Sequence, residues 1–164
     1  MTNKTIKETI KEKLVEFYTT PSKKIMLIKK EYDTIYKLFN SVGKNPKDFY
    51  KKNNKGRIQI ENNSVVYLDA DELGLDTLYP SIGNLKNLKW LFLSYNKIEK
   101  LPKEIGELKN LERLCLLGNK ITEIQKEIGK LKNLKVLSLW NNPLSQKSIE
   151  LLEELKKKRV DVWY

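Results

Sequence analysis

The sequence predicts an α/β fold: a short solenoid whose strands form one parallel sheet, preceded by a helical N-terminal segment and closed by a helix plus a strand. Three observations point to it. From Leu85 to Asn142 the chain reads LKNLKWLFLSYNKIEKLPKEIGE, LKNLERLCLLGNKITEIQKEIGK and LKNLKVLSLWNN, and the copies start at a constant interval, at Leu85, Leu108 and Leu131. A fixed period of this size marks units that bury their apolar sides on one another. Within a copy, Leu91 and Leu93 alternate with Trp90, Phe92 and Ser94, which is strand periodicity. The frame also continues outward in weaker form. Val65, Leu68 and Ala70 lie one interval before Leu88, Leu91 and Leu93, and Val160 and Val162 lie one interval after Leu137 and Leu139. Three full copies between two degenerate ones fit a solenoid with capped ends.

Each residue type in the repeat has a physical task. Asn96, Asn119 and Asn142 recur in register, and a stacked side-chain amide can pair with backbone groups that the turns would otherwise bury unsatisfied. Ile98, Leu101 and Ile105 fill the core behind the sheet, as do Ile121, Ile124 and Ile128. Gly106 and Gly129 suit the bend before the next strand. Two positions depart from the pattern: Leu73 stands where the other copies have asparagine, and Gln125 where the first full copy has Pro102.

The motif LxxLxLxxN, followed by an LPxxIGxL-like return, resembles the typical 23-residue leucine-rich repeat from about Val65 to Tyr164. The resemblance implies a right-handed leucine-rich repeat solenoid with its parallel sheet on the concave face, and a role in binding other macromolecules.

The remaining elements follow in order. A helix is predicted from about Lys4 to Tyr18, with Ile6, Ile10, Leu14 and Phe17 at helical spacing, ended by Thr19, Thr20 and Pro21. A second runs from Lys23 to Asn40, with Ile25, Ile28, Tyr32, Ile35 and Phe39 on one stripe, Ser22 as N-cap and Gly43 past its end. Asn45 and Pro46 open a short third helix to about Lys52, and Lys51 to Gly56 is a polar connector. Residues 1–57 thus read as a basic helical segment capping the solenoid, and residues 58–164 as the repeat domain with its C-terminal cap. RIQI and VVYL around ENNS predict a β-hairpin that starts the sheet at Arg57. Beyond Asn142 and Pro143, Ser145 caps a helix on which Leu144 staples to Ile149. Ile149, Leu152 and Leu155 face inward, and Lys156 to Lys158 sit at the favourable end of the helix dipole. Val160 and Val162 add the last strand.

Composition narrows the function. The chain has 164 residues and a formal net charge of +11. Residues 1–60 hold 15 lysines and arginines against 6 acidic residues, whereas residues 61–164 hold 17 against 15. A basic arm beside a near-neutral domain makes nucleic acid or an anionic surface an alternative partner. It ranks second, because only Arg57, Arg113 and Arg159 supply the bidentate fork that reads phosphates and bases. There is no histidine, one cysteine (Cys115), and no GxGxxG, Walker or GxSxG motif, so no catalytic residue, cofactor or metal is expected. Asp69, Asp71 and Glu72 read as surface, or as a complement to a basic ligand, before they read as a calcium site. No apolar run approaches the roughly 18 residues of a membrane span, MTNKTIKETI lacks a secretory apolar core, and a lone cysteine gives no disulfide framework. These features favour a cytoplasmic protein.

The open face of the sheet is the candidate site. The residues flanking the buried strand positions are Tyr67, Asp69 and Asp71; Trp90, Phe92 and Ser94, with Tyr95 beside them; Arg113, Cys115 and Leu117; Val136, Ser138 and Trp140; and Arg159, Asp161 and Trp163, with Tyr164 beside them. All three tryptophans of the chain fall here. With Phe92, Leu117 and the tyrosines they present on the order of 500 Å² of apolar surface, at the upper end of what a monomer exposes. The expected partner is a protein or peptide docking on Trp90, Phe92, Trp140 and Trp163, with the acidic trio, Arg113 and Arg159 steering it. Homodimerisation through the same tryptophans is the further alternative.

Overall fold

Each repeat contributes a strand of only three residues, since one leucine per strand turns inward between two outward neighbours. The computed structural model describes residues 14–20, 23–46 and 57–164. Its repeat strands are β5 (Trp90–Phe92), β6 (Arg113–Cys115) and β7 (Val136–Ser138). They lie between β4 (Ser64–Asp69) and β8 (Asp161–Trp163), and β3 (Ile58–Glu61) completes a six-stranded sheet in chain order. The pairs from β4 to β8 are parallel. β3 pairs antiparallel with β4 as the hairpin expected from the sequence. Its turn residues Asn62 and Asn63 both take positive φ, which asparagine tolerates. The chain returns through three 3-10 turns, Pro80–Asn84, Lys103–Glu107 and Lys126–Lys130. Between turns and sheet the repeat leucines and isoleucines form one continuous buried core.

The inner column is Leu68, Leu91, Leu114, Leu137 and Val162. The last member corrects the frame read from the sequence, which pairs Val160 with Leu137. The final unit is longer than the others because its return is a full α-helix instead of a 3-10 turn. The longer return delays the strand by two residues, an even number, so the same face stays inward.

Two asparagine ladders tie the turns together. Asn96 and Asn119 are buried, and each repeats one pattern. Asn119 accepts from the Ile98 N–H (3.0 Å) and donates to the carbonyls of Leu93 (2.8 Å) and Leu116 (3.0 Å). Asn96 does the same with Leu75, Ala70 and Leu93, and Asn142 with Ile121, Leu116 and Leu139. A second ladder uses the LKN asparagines: Asn110 donates to the Lys86 carbonyl and Asn133 to that of Lys109. Its signal, asparagine at 87, 110 and 133, stands in the sequence but is absorbed there into the leucine pattern.

Close packing, and not the bend, explains the glycine of the IG pair. A Cβ on Gly106 would lie 2.6 Å from the Glu127 carbonyl oxygen of the next turn, whereas one on Gly129 meets nothing within 4 Å. Gly106→Ala is therefore expected to cost about 1–3 kcal/mol and Gly129→Ala no more than about 0.5 kcal/mol. Thermal unfolding followed by circular dichroism checks the pair; equal effects would contradict the stacking account.

Helices close both ends. At the C-terminus, helix α2 (Gln146–Lys157) is capped by Ser145, whose hydroxyl accepts from the Ser148 N–H. Buried Ser148 in turn accepts from the Ile124 N–H (2.9 Å) and lies 3.2 Å from the Thr122 carbonyl. It thereby does for the last repeat what an asparagine does for the others.

At the N-terminus the helical expectation needs correction. Leu14–Thr20 and Lys23–Ile28 are strands β1 and β2, paired antiparallel, and the helix, α1, spans only Lys29–Asn40. Ser22 is therefore not its N-cap. From Leu14 on, Val15, Phe17, Tyr18, Thr19 and Thr20 are β-branched or aromatic residues, which lose side-chain freedom in a helix and suit a pleated ribbon. The link between the two strands is short enough for a hairpin. The predicted helical stretch 4–13, and the third helix beyond Pro46, lie outside the described residues.

Helix α1 packs into the repeat core through Ile35, Leu38 and Phe39. Glu31, 2% exposed, accepts from the Val65 N–H at 2.6 Å. Burial raises its carboxyl above the ordinary glutamate range, against the opposing bonds from Val65 and the Ser64 side chain. The folded state thus holds this proton to higher pH than the unfolded state. The residue's contribution to stability falls as pH rises from the usual glutamate range through the raised folded value. Glu31→Gln removes that slope while keeping an acceptor for Val65. The melting-temperature difference, variant minus wild type, is expected to grow from pH 4 to pH 7; a difference that shrinks over that range would contradict it.

Candidate functional site

Outward residues of the parallel strands line up in rows. One row is Tyr67, Trp90, Arg113, Val136 and Asp161; the next is Asp69, Phe92, Cys115, Ser138 and Trp163. Beyond the strand ends, one repeat apart, come Asp71, Ser94, Leu117 and Trp140. The rows divide into two halves of different character.

The N-terminal half satisfies itself. The Tyr67 ring meets Trp90 edge-on at 5.9 Å and Phe92 at 5.3 Å. Arg57 lies 3.6 Å from the Asp69 carboxylate and donates to the Asp71 carbonyl at 2.6 Å. Asp69 also accepts from the Asp71 N–H, and the Asp71 carboxylate accepts from the Ser94 N–H. Burial raises the Asp71 carboxyl; the Ser94 bond opposes this and the Asp69 charge adds to it. The Tyr67 phenol is raised by burial and then by Asp69 and Asp71. Ser94 is buried, a correction to its place on the solvent face. Asp69 and Asp71 are therefore held within the fold, while Glu72 is exposed in the turn beyond. Among the described residues no cluster of three His, Cys, Asp or Glu side chains forms a metal site. Burial, then the Asp71 charge, raises the half-buried Cys115 thiol, which disfavours the nucleophilic thiolate.

The C-terminal half is open. Trp140 is 69% exposed, Trp163 59% and Tyr95 56%, against 39% for Trp90. Trp140 stands between two grooves. One, of about 450 Å³, is lined by Tyr95, Leu117, Trp140 and Asn141. The other, of about 350 Å³, is lined by Trp140, Lys156, Val162, Trp163 and Tyr164. The shifted last strand sets Trp163 opposite Ser138, so the two tryptophans border one groove without a ring contact between them. Tyr164 turns away onto α2, where its hydroxyl bonds Glu153 and Lys156 Nζ lies 4.3 Å above its ring. Arg159 is not on the sheet face: it takes φ +66°, its N–H bonds the Lys156 carbonyl, and it lies in the turn between α2 and β8.

Turn geometry displays Tyr95. Glu72, Tyr95, Gly118 and Asn141 occupy one turn position of successive repeats, all with positive φ. For tyrosine this backbone is unfavourable, and such strain often accompanies function. Gly118 leaves room for it, since a Cβ there would lie 2.9 Å from the Tyr95 ring. Gly118 and Asn141 escape the sequence argument, although their one-repeat spacing from Tyr95 is visible in it.

Comparison with known proteins agrees with this architecture. A family model described as a leucine-rich repeat region matches residues 64–162. A leucine-rich repeat protein of Leptospira interrogans is similar over 60% of this chain at 43% identity and a TM-score of 0.54; the chain spans 24% of that protein's length. The leucine-rich repeat ectodomain of the Arabidopsis thaliana receptor kinase SOBIR1 has a TM-score of 0.60 at 24% identity, over 72% of this chain and 70% of that one, a likeness of fold. No curated protein matches the sequence. Among the described residues no helix is long and apolar enough to cross a membrane.

Proposed function

We propose, because this chain belongs to the leucine-rich repeat family, that it is a non-enzymatic interaction module whose open sheet face binds a segment of a protein or peptide. The observation that carries this reading is the exposure of Trp140 and Trp163 beside two grooves. Large aromatic side chains left in water are costly to keep unless a partner covers them. Docking centres on Tyr95, Leu117, Trp140 and Trp163. Tyr67, Trp90 and Phe92 form the adjoining wall, with Tyr67 packed on the other two, and helix α1 serves as the cap that closes the first repeat.

The test is selection from a phage-displayed library of linear peptides of about ten residues, more than the roughly six that crossing the five parallel strands demands. Enriched peptides are expected to bind wild type, to lose binding to Trp140→Ala/Trp163→Ala, and to retain it with Lys147→Ala, which lies outside both grooves. Their affinity should change little with salt. Enrichment indifferent to the tryptophans, or a steep salt dependence, would overturn the reading and favour the basic arm.

A further inference from the structure

The charges on this face separate into those already engaged and those that are not. Asp69 is paired with Arg57, Asp71 is bonded by the Ser94 N–H, and at the far end Lys156 is paired with Glu153 at 3.0 Å. Two strand residues differ. Arg113 on β6 and Asp161 on β8 are exposed, and among the described residues neither has an ion-pair partner. They stand in one row on either side of Val136. At about 4.8 Å per strand their backbones are roughly 10 Å apart, and the two side chains form no ion pair with one another. Val136 is half-buried in the gap, and the Trp140 grooves lie alongside, farther along the strands.

We infer that the partner is a bipolar peptide segment: it sets a carboxylate on Arg113, an apolar side chain over Val136 and a cation on Asp161, with a large apolar residue in the Trp140 grooves. This rests on the proposed peptide-binding function and gives it a direction. The acidic end of the ligand lies toward the N-terminal repeats and the basic end toward the C-terminal cap. In an extended chain alternate side chains share a face, at roughly 6.7 Å intervals, so a span of roughly 10 Å falls between charges two and four residues apart, and both belong to one short motif. Arg113 supplies a planar fork matched to a carboxylate. Opposite charges fix register, and the wrong order brings like charges together.

The experiment runs the same peptide library on wild type and on Arg113→Glu/Asp161→Arg, with circular dichroism to establish that the variant is folded. Wild type should enrich peptides holding an acidic and a basic residue two or four apart, with an aromatic or large aliphatic one beside them. The variant should bind these at least about tenfold more weakly and enrich the reversed charge order. Peptides that need the tryptophans but show no charge order, or the same order on both proteins, would overturn this inference and leave the proposed function standing. Enrichment that ignores the tryptophans would overturn both. Self-association of the wild type that the charge swap preserves would also count against the bipolar ligand, since the face would then be covered by a second copy.

Discussion

Asn119→Ala is expected to lower the free energy of unfolding by about 3 kcal/mol or more, an effect matched in the repeats by the equally buried and equally bonded Asn96. The side chain answers three backbone groups from two repeats, the Ile98 N–H and the Leu93 and Leu116 carbonyls. Each buried group left without a partner costs about 1–3 kcal/mol. Since a domain is stable by only about 5–15 kcal/mol, the loss is a sizeable fraction of the whole. Asn133→Ala is the control. Its amide bonds one carbonyl from an exposed position, and its loss is expected to stay near about 1 kcal/mol. Urea unfolding of both variants decides the matter, and equal midpoints would contradict the ladder account.

For binding, the largest effect is expected at Trp140. Trp140→Ala should weaken a face-selected ligand by about 2–4 kcal/mol, roughly 30- to 1000-fold, as truncation of a central aromatic anchor does. The residue walls both grooves and is the most exposed tryptophan. Trp90→Ala should cost less than about tenfold, because its ring is engaged by Tyr67 and is 39% exposed. Calorimetric titration of both variants with one selected peptide measures the contrast. A greater loss at Trp90 would move the site to the N-terminal half.

The repeat was legible from the sequence because its constraint is periodic. Leu91, Asn96 and Ile98 recur in identical surroundings, so each copy repeats the evidence for the others. The ends were not, because they break the period. Val160 and Val162 look like the next leucine pair in the frame, but a full α-helix replaces the short turn and shifts the strand by two positions. That shift removed Arg159 from the face and moved Trp163 by one step. At the other end, Leu14 and Phe17 match a helical stripe, yet the same stretch is rich in strand formers, and only the tertiary arrangement decides between them. The candidate site was legible as a set of side chains and not as a surface. Sequence spacing names Tyr67, Asp69, Asp71 and Trp90 as readily as Trp140, but it does not say that Arg57 reaches back across the hairpin to hold the acids. Nor does it say that Tyr164 lies down on the helix.

Iodide and acrylamide quenching of tryptophan emission, run beside size-exclusion light scattering, reads whether the tryptophan face stands open in the monomer. With Trp140 and Trp163 more than half exposed, the account predicts a monomer with red-shifted emission that both quenchers reduce readily. Blue-shifted, protected emission would contradict it: in a dimer the face is covered by a second copy, and in a monomer it is covered by the chain itself.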